Sequence, residues 1–389
     1  MDPLTVIIII AALYLVIYFV AQAIGFDKLA ERGIDVGTPF FILIKTERLN
    51  KFLTRMGKKF PRAFFNIGIV AAFGGMIFGF YIFTDNLLKF FIAPSAAGGV
   101  VPIIPGVTIT GLPMIYILIG LGITLLTHEF AHGLASAKDN IPIKSSGLLF
   151  LLVLFGGFVE PDEEAFEKEA TPKDRMRLLA AGSYANMIWA FVFLILLSNF
   201  GTVMSFGFNS PNGAYLYDIA PTSAAMGELE VGDVIIGLNS TEIETWSDLS
   251  IYMNDTSPGD TLVVHLMSGE SVSIILGQND AVPYKGYIGV YGADYWEPKP
   301  GWDILFDPMF AFHFQMTLTW SFVILFSVAL FNLLPIPIFD GDKLLSNGLS
   351  LITEDERKIK AVMYPLRIFS IAVVLLSMGL SLWLGKGLF

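Results

Sequence analysis

Long apolar runs alternate with short charged segments along this chain of 389 residues. A run of about 20 residues suffices to cross a hydrocarbon core. Such runs lie at 4–25, 63–84, 112–136, 177–200, 309–335 and 361–384, and they predict six membrane-spanning helices. The first is too long for a signal-peptide core, has no basic residue ahead of it, and closes on Gly25-Phe26-Asp27 without an A-x-A site. It therefore reads as a retained helix. Over 206–292 the pattern changes. Tyr215–Ile219, Val234–Leu238, Thr261–Leu266 and Val272–Leu276 predict short strands, and Pro221–Ala225 and Thr245–Met253 predict short helices. Residues 144–160 are apolar but too short to span, which predicts a re-entrant or interfacial hairpin. Irregular backbone at that depth must be buried in protein or line a wet cavity. A hairpin beside a site would do so, and would offer an edge strand to an unfolding substrate. Thr46–Lys59 is basic, with Leu49, Phe52, Leu53 and Met56 at helical spacing, and predicts an interfacial amphipathic helix. The fold class is a polytopic α-helical membrane protein with an inserted small β-rich domain.

Composition agrees, with 54% hydrophobic and only 15% charged residues. The net charge of −11 is unevenly spread. Basic residues crowd 25–62, 137–177 and 340–367, whereas 201–308 holds only Lys285 and Lys299. The apolar runs make this a multi-pass protein, expected in the cell membrane, and the Lys/Arg bias sets its orientation. It puts those three basic segments in the cytoplasm and both termini and the β-rich segment outside. An acidic outer segment fits no nucleic-acid partner. With no cysteine in the chain, no disulfide supports the outer part and no thiolate is a ligand or nucleophile.

Two of the four histidines fall in one word, His128-Glu129-Phe130-Ala131-His132, at the end of the third run. Histidines at i and i+4 share a helix face and can clamp one zinc ion. The glutamate between them can serve as general base. Ionisable groups within a membrane span are costly and usually functional. By the charge-derived topology, His128 and His132 approach the cytoplasmic end of span three. Asp340 reaches the same leaflet after span five, and Asn186 lies about 13 Å into span four at about 1.5 Å per residue. Pro335 and Pro337 break the helix ahead of Asp340. His265 reads as a strand-surface residue and His313 as interfacial. Gly68, Gly74, Gly75 and Gly79 suggest close helix packing.

Other pieces extend the pattern. Ala220-Pro221-Thr222-Ser223-Ala224-Ala225, Gly232-Asp233-Val234-Ile235 and Leu238-Asn239-Ser240 resemble a protease-associated bacterial PDZ domain, a type that captures chain termini by strand addition. Together with the histidine word, Gly182-Ser183-Tyr184-Ala185-Asn186, Asn332 through Gly341, and Gly156-Gly157-Phe158-Val159 with Glu163–Phe166, the chain resembles the site-2 protease family of intramembrane zinc metalloproteases. The resemblance covers about residues 112–345. It implies one Zn2+ per chain held by His128, His132 and Asp340, with Glu129 as base and Asn186 and Asn332 orienting substrate or the oxyanion. It also implies single-pass membrane substrates, cut after a first extracytoplasmic cleavage, and peptide termini as ligands of the PDZ-like domain. Ser183 and Phe339 depart from the family's usual Gly-Pro and Leu-Asp-Gly.

The implied domains are two N-terminal spans with a basic linker (1–111), a first catalytic part (112–205), the PDZ-like domain (206–292), a second catalytic part (293–345) and a C-terminal span (346–389). The rival readings are an ion-coupled transporter, against which stands the lack of an internal repeat, and a non-catalytic peptide-sensing receptor, in which Glu129 would have no use.

Overall fold

A computed structural model describes residues 3–101, 109, 111–151, 154–278, 282–307 and 309–386. The chain divides into two compact units, Met1–Leu194 with Thr317–Phe389, and Ile195–Met316.

In chain order, the first unit begins with α1 (Pro3–Ile24), α2 (Phe26–Ala30), β1 (Ile34–Thr38), β2 (Phe41–Lys45), α3 (Glu47–Lys59) and α4 (Arg62–Ile92). It continues with α5 (Leu112–Lys138), β3 (Ile143–Leu151), β4 (Leu154–Pro161) and α6 (Pro172–Ser198). The second unit contributes α7 (Phe200–Met204), β5 (Ala214–Ile219), β6 (Val234–Leu238), β7 (Thr241–Glu242), α8 (Trp246–Met253), β8 (Thr261–Leu266) and β9 (Ser271–Ile275). After β10 (Gly277–Gln278), β11 (Gly286–Tyr287) and β12 (Val290–Asp294), the chain returns through α9 (Phe310–Asn332), α10 (Asp340–Ser350) and α11 (Glu356–Trp383).

Five helices among the described residues, α4, α5, α6, α9 and α11, are long and apolar enough to cross a membrane. Six were expected. The first run forms α1, whose qualifying apolar part is the shorter stretch Ile8–Ile24. The spans keep apolar side chains on their outer faces, Val70, Ile77 and Phe91 among them, as a hydrocarbon surround permits. Inside, Phe65 and Met76 of α4, Ala131 and Ala135 of α5, and the run Leu178–Ala181 of α6 form a core with Leu333 and Leu344. Small residues bring the helices close. A Cβ on Gly68 would meet the Tyr184 ring and one on Gly75 would meet Leu333, but Gly74 faces open space, so only part of the expected glycine packing is realised.

The hairpin expected over 144–160 is β3 with β4; residues 152 and 153 lie outside the described residues. It belongs to an antiparallel sheet in the order β1-β2-β3-β4, whose first two strands fall in a segment that read only as a basic linker. Gly147 makes the close pairing with Lys45 possible, since a Cβ there would run into the carbonyl of Ile44. Helix α3 is capped by Thr46, which accepts from the Arg48 amide at 3.3 Å. Its apolar side is not left for lipid alone. Leu53 is fully buried, and Gly57 sits against the Leu134 backbone of α5.

The second unit is an antiparallel sheet in the order β12-β5-β6-β8-β9, with β7 on β6. Alternate residues Leu262, Val264 and Leu266 point into its core with Leu216, Ile235 and Leu238. Helix α8 starts at a capping box between Thr245 and Asp248. Residues 221–225 are turns rather than the expected helix. Thr222 there takes a positive φ of 63°, outside helical space.

Candidate metal centre

Helices α5 and α6 meet through residues spaced by one turn on each. On α6 the series is Leu178, Gly182 and Asn186; on α5 it is His132 and His128. The Leu178 carbonyl lies 2.8 Å from His132 Nδ1. Gly182 leaves room for the His128 ring, because a Cβ there would stand 2.5, 2.6 and 2.7 Å from three of its atoms. Asn186, fully buried, lies beyond it with its amide nitrogen 3.3 Å from His128 Nδ1 and its oxygen accepting from Thr127 Oγ1 at 2.8 Å. Both imidazoles are thus held by Nδ1 and present Nε2.

The third group arrives from a different element. Helix α9 stops at Asn332, and the Pro335 and Pro337 segment is non-helical, so α10 starts afresh at Asp340. Gly341 packs so tightly on Leu333 that a Cβ would collide with its carbonyl. Asp340 Oδ2 lies 3.3 Å from His128 Nε2 and 3.2 Å from His132 Nε2, and the two Nε2 atoms are 3.0 Å apart. For ligands about 2.0–2.1 Å from a tetrahedral zinc, the edges of the tetrahedron measure about 3.3 Å. The three atoms therefore outline one face of such a tetrahedron, and two imidazoles with one carboxylate form a donor set zinc accepts. Asn332 backs the carboxylate. Its Nδ2 donates to Asp340 Oδ2 at 2.8 Å and lies 3.4 Å from both Ser183 Oγ and His128 Nε2.

Glu129 projects to another side of α5. Its Oε2 accepts from the Val159 amide of β4 at 3.2 Å. A cavity of about 370 Å³ is lined by Glu129, His132, Asp340, Val159, Lys144 and Lys343, among others. The structure thus brings His128, His132 and Asp340 together, puts Glu129 on the adjoining cavity, and places Asn186 against His128 and Asn332 against His128 and Asp340. His265 and His313 are elsewhere; His265 sits on β8, bonded to Ser271 Oγ and the Asn239 carbonyl at 2.8 Å each.

Two supports were missed in the sequence. Arg367 of α11 makes a two-pronged pair with buried Asp342, at 2.6 and 2.7 Å, two residues past Asp340. Arg177, next to Leu178, pairs with Asp139 at 2.6 Å and with Asp174, and donates to Asn66 at 3.2 Å, which ties α4, α5 and α6 together. A charged residue within or beside an apolar run was the available signal for each, but its partner is remote in sequence.

Fold and site define a multi-pass membrane protein carrying a His-His-Asp cluster able to hold a metal ion. Residues 116–376 match the model of Peptidase family M50, and the chain belongs to that family. It is 27% identical over 401 residues to an uncharacterized protein of Methanocaldococcus jannaschii, with 98% of this chain and 96% of that one covered. It is also 22% identical over 224 residues to the Arabidopsis thaliana membrane-bound transcription factor site-2 protease homolog, with 54% of this chain and 42% of that one covered. The chain thus matches less than half of that plant protein. The PDZ domain of an SdrC-like protein from Listeria innocua aligns at 20% identity with a TM-score of 0.19, covering 21% of this chain and 92% of that one.

Proposed function

We propose that this protein is an intramembrane zinc metalloendopeptidase of the site-2 type, acting on membrane-anchored substrates. The observation that carries the reading is the meeting of three ligand atoms from two separate segments beside a cavity lined by Glu129. The name of the plant relative points the same way.

His128, His132 and Asp340 would hold the ion, and Glu129 would be the base. Zinc bound there would polarise a substrate carbonyl and make water a nucleophile near neutral pH. The residues supply the remainder. The Leu178 carbonyl holds the Nδ1 proton of His132, leaving Nε2 free to ligate. Asn332, by donating to Asp340, fixes the carboxylate that faces both imidazoles. Glu129 accepts the proton of the attacking water and delivers it to the leaving amine. It accepts from the Val159 amide of β4, the end strand of its sheet, so an unwound peptide paired along that strand would pass the base. Substrate unwinding is required because a helical peptide bond keeps its carbonyl engaged.

The reading is tested by zinc content and by cleavage of a single-pass model substrate, wild type beside Glu129→Gln. Transporter and receptor readings have no comparable observation in their favour. The charge bias supports a cytoplasmic-side catalytic centre with the PDZ-like domain outside, and that domain would take peptide termini.

A further inference from the structure

Apart from its sheet, the second unit displays a concentrated apolar tip made of two loops. Phe206, Ile304 and Leu305 are 80%, 84% and 72% exposed. Their base is ordered. Lys299 donates its backbone amide to the Gly207 carbonyl at 2.9 Å and its ammonium to the Ser205 carbonyl at 2.6 Å. The Trp302 ring covers Gly207, where a Cβ would stand 2.9 Å from it. Phe306 packs between Trp302 and Phe310, with ring centres 5.5 and 4.2 Å away, and buried Phe208 stacks on Phe310 at 5.8 Å. The aromatic ladder therefore runs from the loops into the first turn of α9. Large apolar side chains held out from a rigid base mark an interaction surface.

Chain continuity says what that surface meets. One loop follows the end of α6 and short α7, and the other leads directly into α9; α6 and α9 are both apolar enough to span a membrane. Short stretches of chain thus join the tip to two helices able to span a membrane. We propose that the loop pair 205–208 and 299–306 is an interfacial anchor, with the headgroup–acyl boundary of the bilayer as its partner. Phe206, Ile304 and Leu305 enter the acyl boundary, while Trp302 and Lys299 occupy the headgroup level, the depth at which tryptophan and long cationic side chains are favoured. Asp303 balances Lys299 within the second loop, and Asp307 follows directly after it. Attraction to anionic lipid therefore contributes little, and apolar insertion carries the contact. The proposal rests on the multi-pass fold and stands whether or not the protein is a protease.

The absence of cysteine makes the test clean. Single cysteines replacing Phe206, Ile304 or Leu305 in the full chain would carry a nitroxide, with Ile275→Cys as reference, since Ile275 is also 68% exposed but lies on β9. In phosphatidylcholine nanodiscs, collision with oxygen should exceed collision with a water-soluble nickel chelate by severalfold at the three tip positions, and the order should reverse at 275. Adding one third phosphatidylglycerol should leave the ratio unchanged. Equal nickel access at 304 and 275 would overturn the proposal. So would shielding of the tip from both reagents with spin–spin broadening between copies, which would make the surface a self-association patch.

Discussion

Gly182 and Asn186 show how single residues set the metal centre. Gly182 gives His128 its place, so Gly182→Ala should displace the ring and weaken zinc binding by about tenfold or more, in the range seen when support of a metal-bound histidine is lost. Gly74→Ala, facing open space on α4, should leave zinc affinity unchanged. Competition with a chromophoric chelator measures both. Asn186 has a related part. If His128 ligates through Nε2, its Nδ1 carries a proton and needs an acceptor. Turning the Asn186 amide by half a rotation supplies its oxygen. Thr127 Oγ1 would then accept from the amide nitrogen while donating to the Ile123 carbonyl, 2.9 Å away. Every group in the cluster is then satisfied. Asn186→Leu should accordingly lower zinc affinity by roughly 10–100-fold, as the same competition would show. An unchanged affinity with an altered KM would instead return Asn186 to the substrate-orienting part read from the sequence.

Arg367 and Asp342 act between elements. They fasten α11 to the start of α10, and hence to the segment that delivers Asp340. Removing one member of a buried pair leaves an uncompensated charge, whereas removing both can be nearly neutral. Arg367→Met should therefore destabilise the protein at the low end of roughly 3–5 kcal/mol, because the arginine is only partly buried. Arg367→Met with Asp342→Leu should recover most of that loss in thermal unfolding in detergent. Equal losses in the single and double variants would show that the pair does not couple the helices. At this scale the sequence was legible where hydrophobic periodicity is strong. Val234–Leu238 and Thr261–Leu266 are strands at the expected residues, and α3 lies within the expected Thr46–Lys59. β2 escaped notice because it pairs with β3, about a hundred residues away in sequence, and β1 joins the sheet only through β2. The turns at 221–225 carried helix-like composition, but the backbone at Thr222 does not permit a helix.

Across the whole molecule, the apolar runs disclosed the membrane helices, and the histidine word with Asp340 disclosed the cluster. What supports that cluster was not legible. His128 against Gly182 and Glu129 against Val159 are contacts made by chain packing, and no local pattern encodes them. Sidedness follows from the distribution of Lys and Arg alone. In right-side-out vesicles, a cysteine replacing Ser273 should react with an impermeant maleimide, and one replacing Lys58 should react only after permeabilisation. The reverse pattern would invert the proposed topology.

The central claim is that the His-His-Asp cluster binds zinc and that Glu129 uses it to hydrolyse peptide bonds in the membrane. The most direct measurement is cleavage of a single-pass model substrate by purified, zinc-analysed full chain in detergent, beside Glu129→Gln. The account predicts about one zinc per chain in both proteins and cleavage by the wild type alone. Equal cleavage by both, or a chain that retains no zinc, would contradict it.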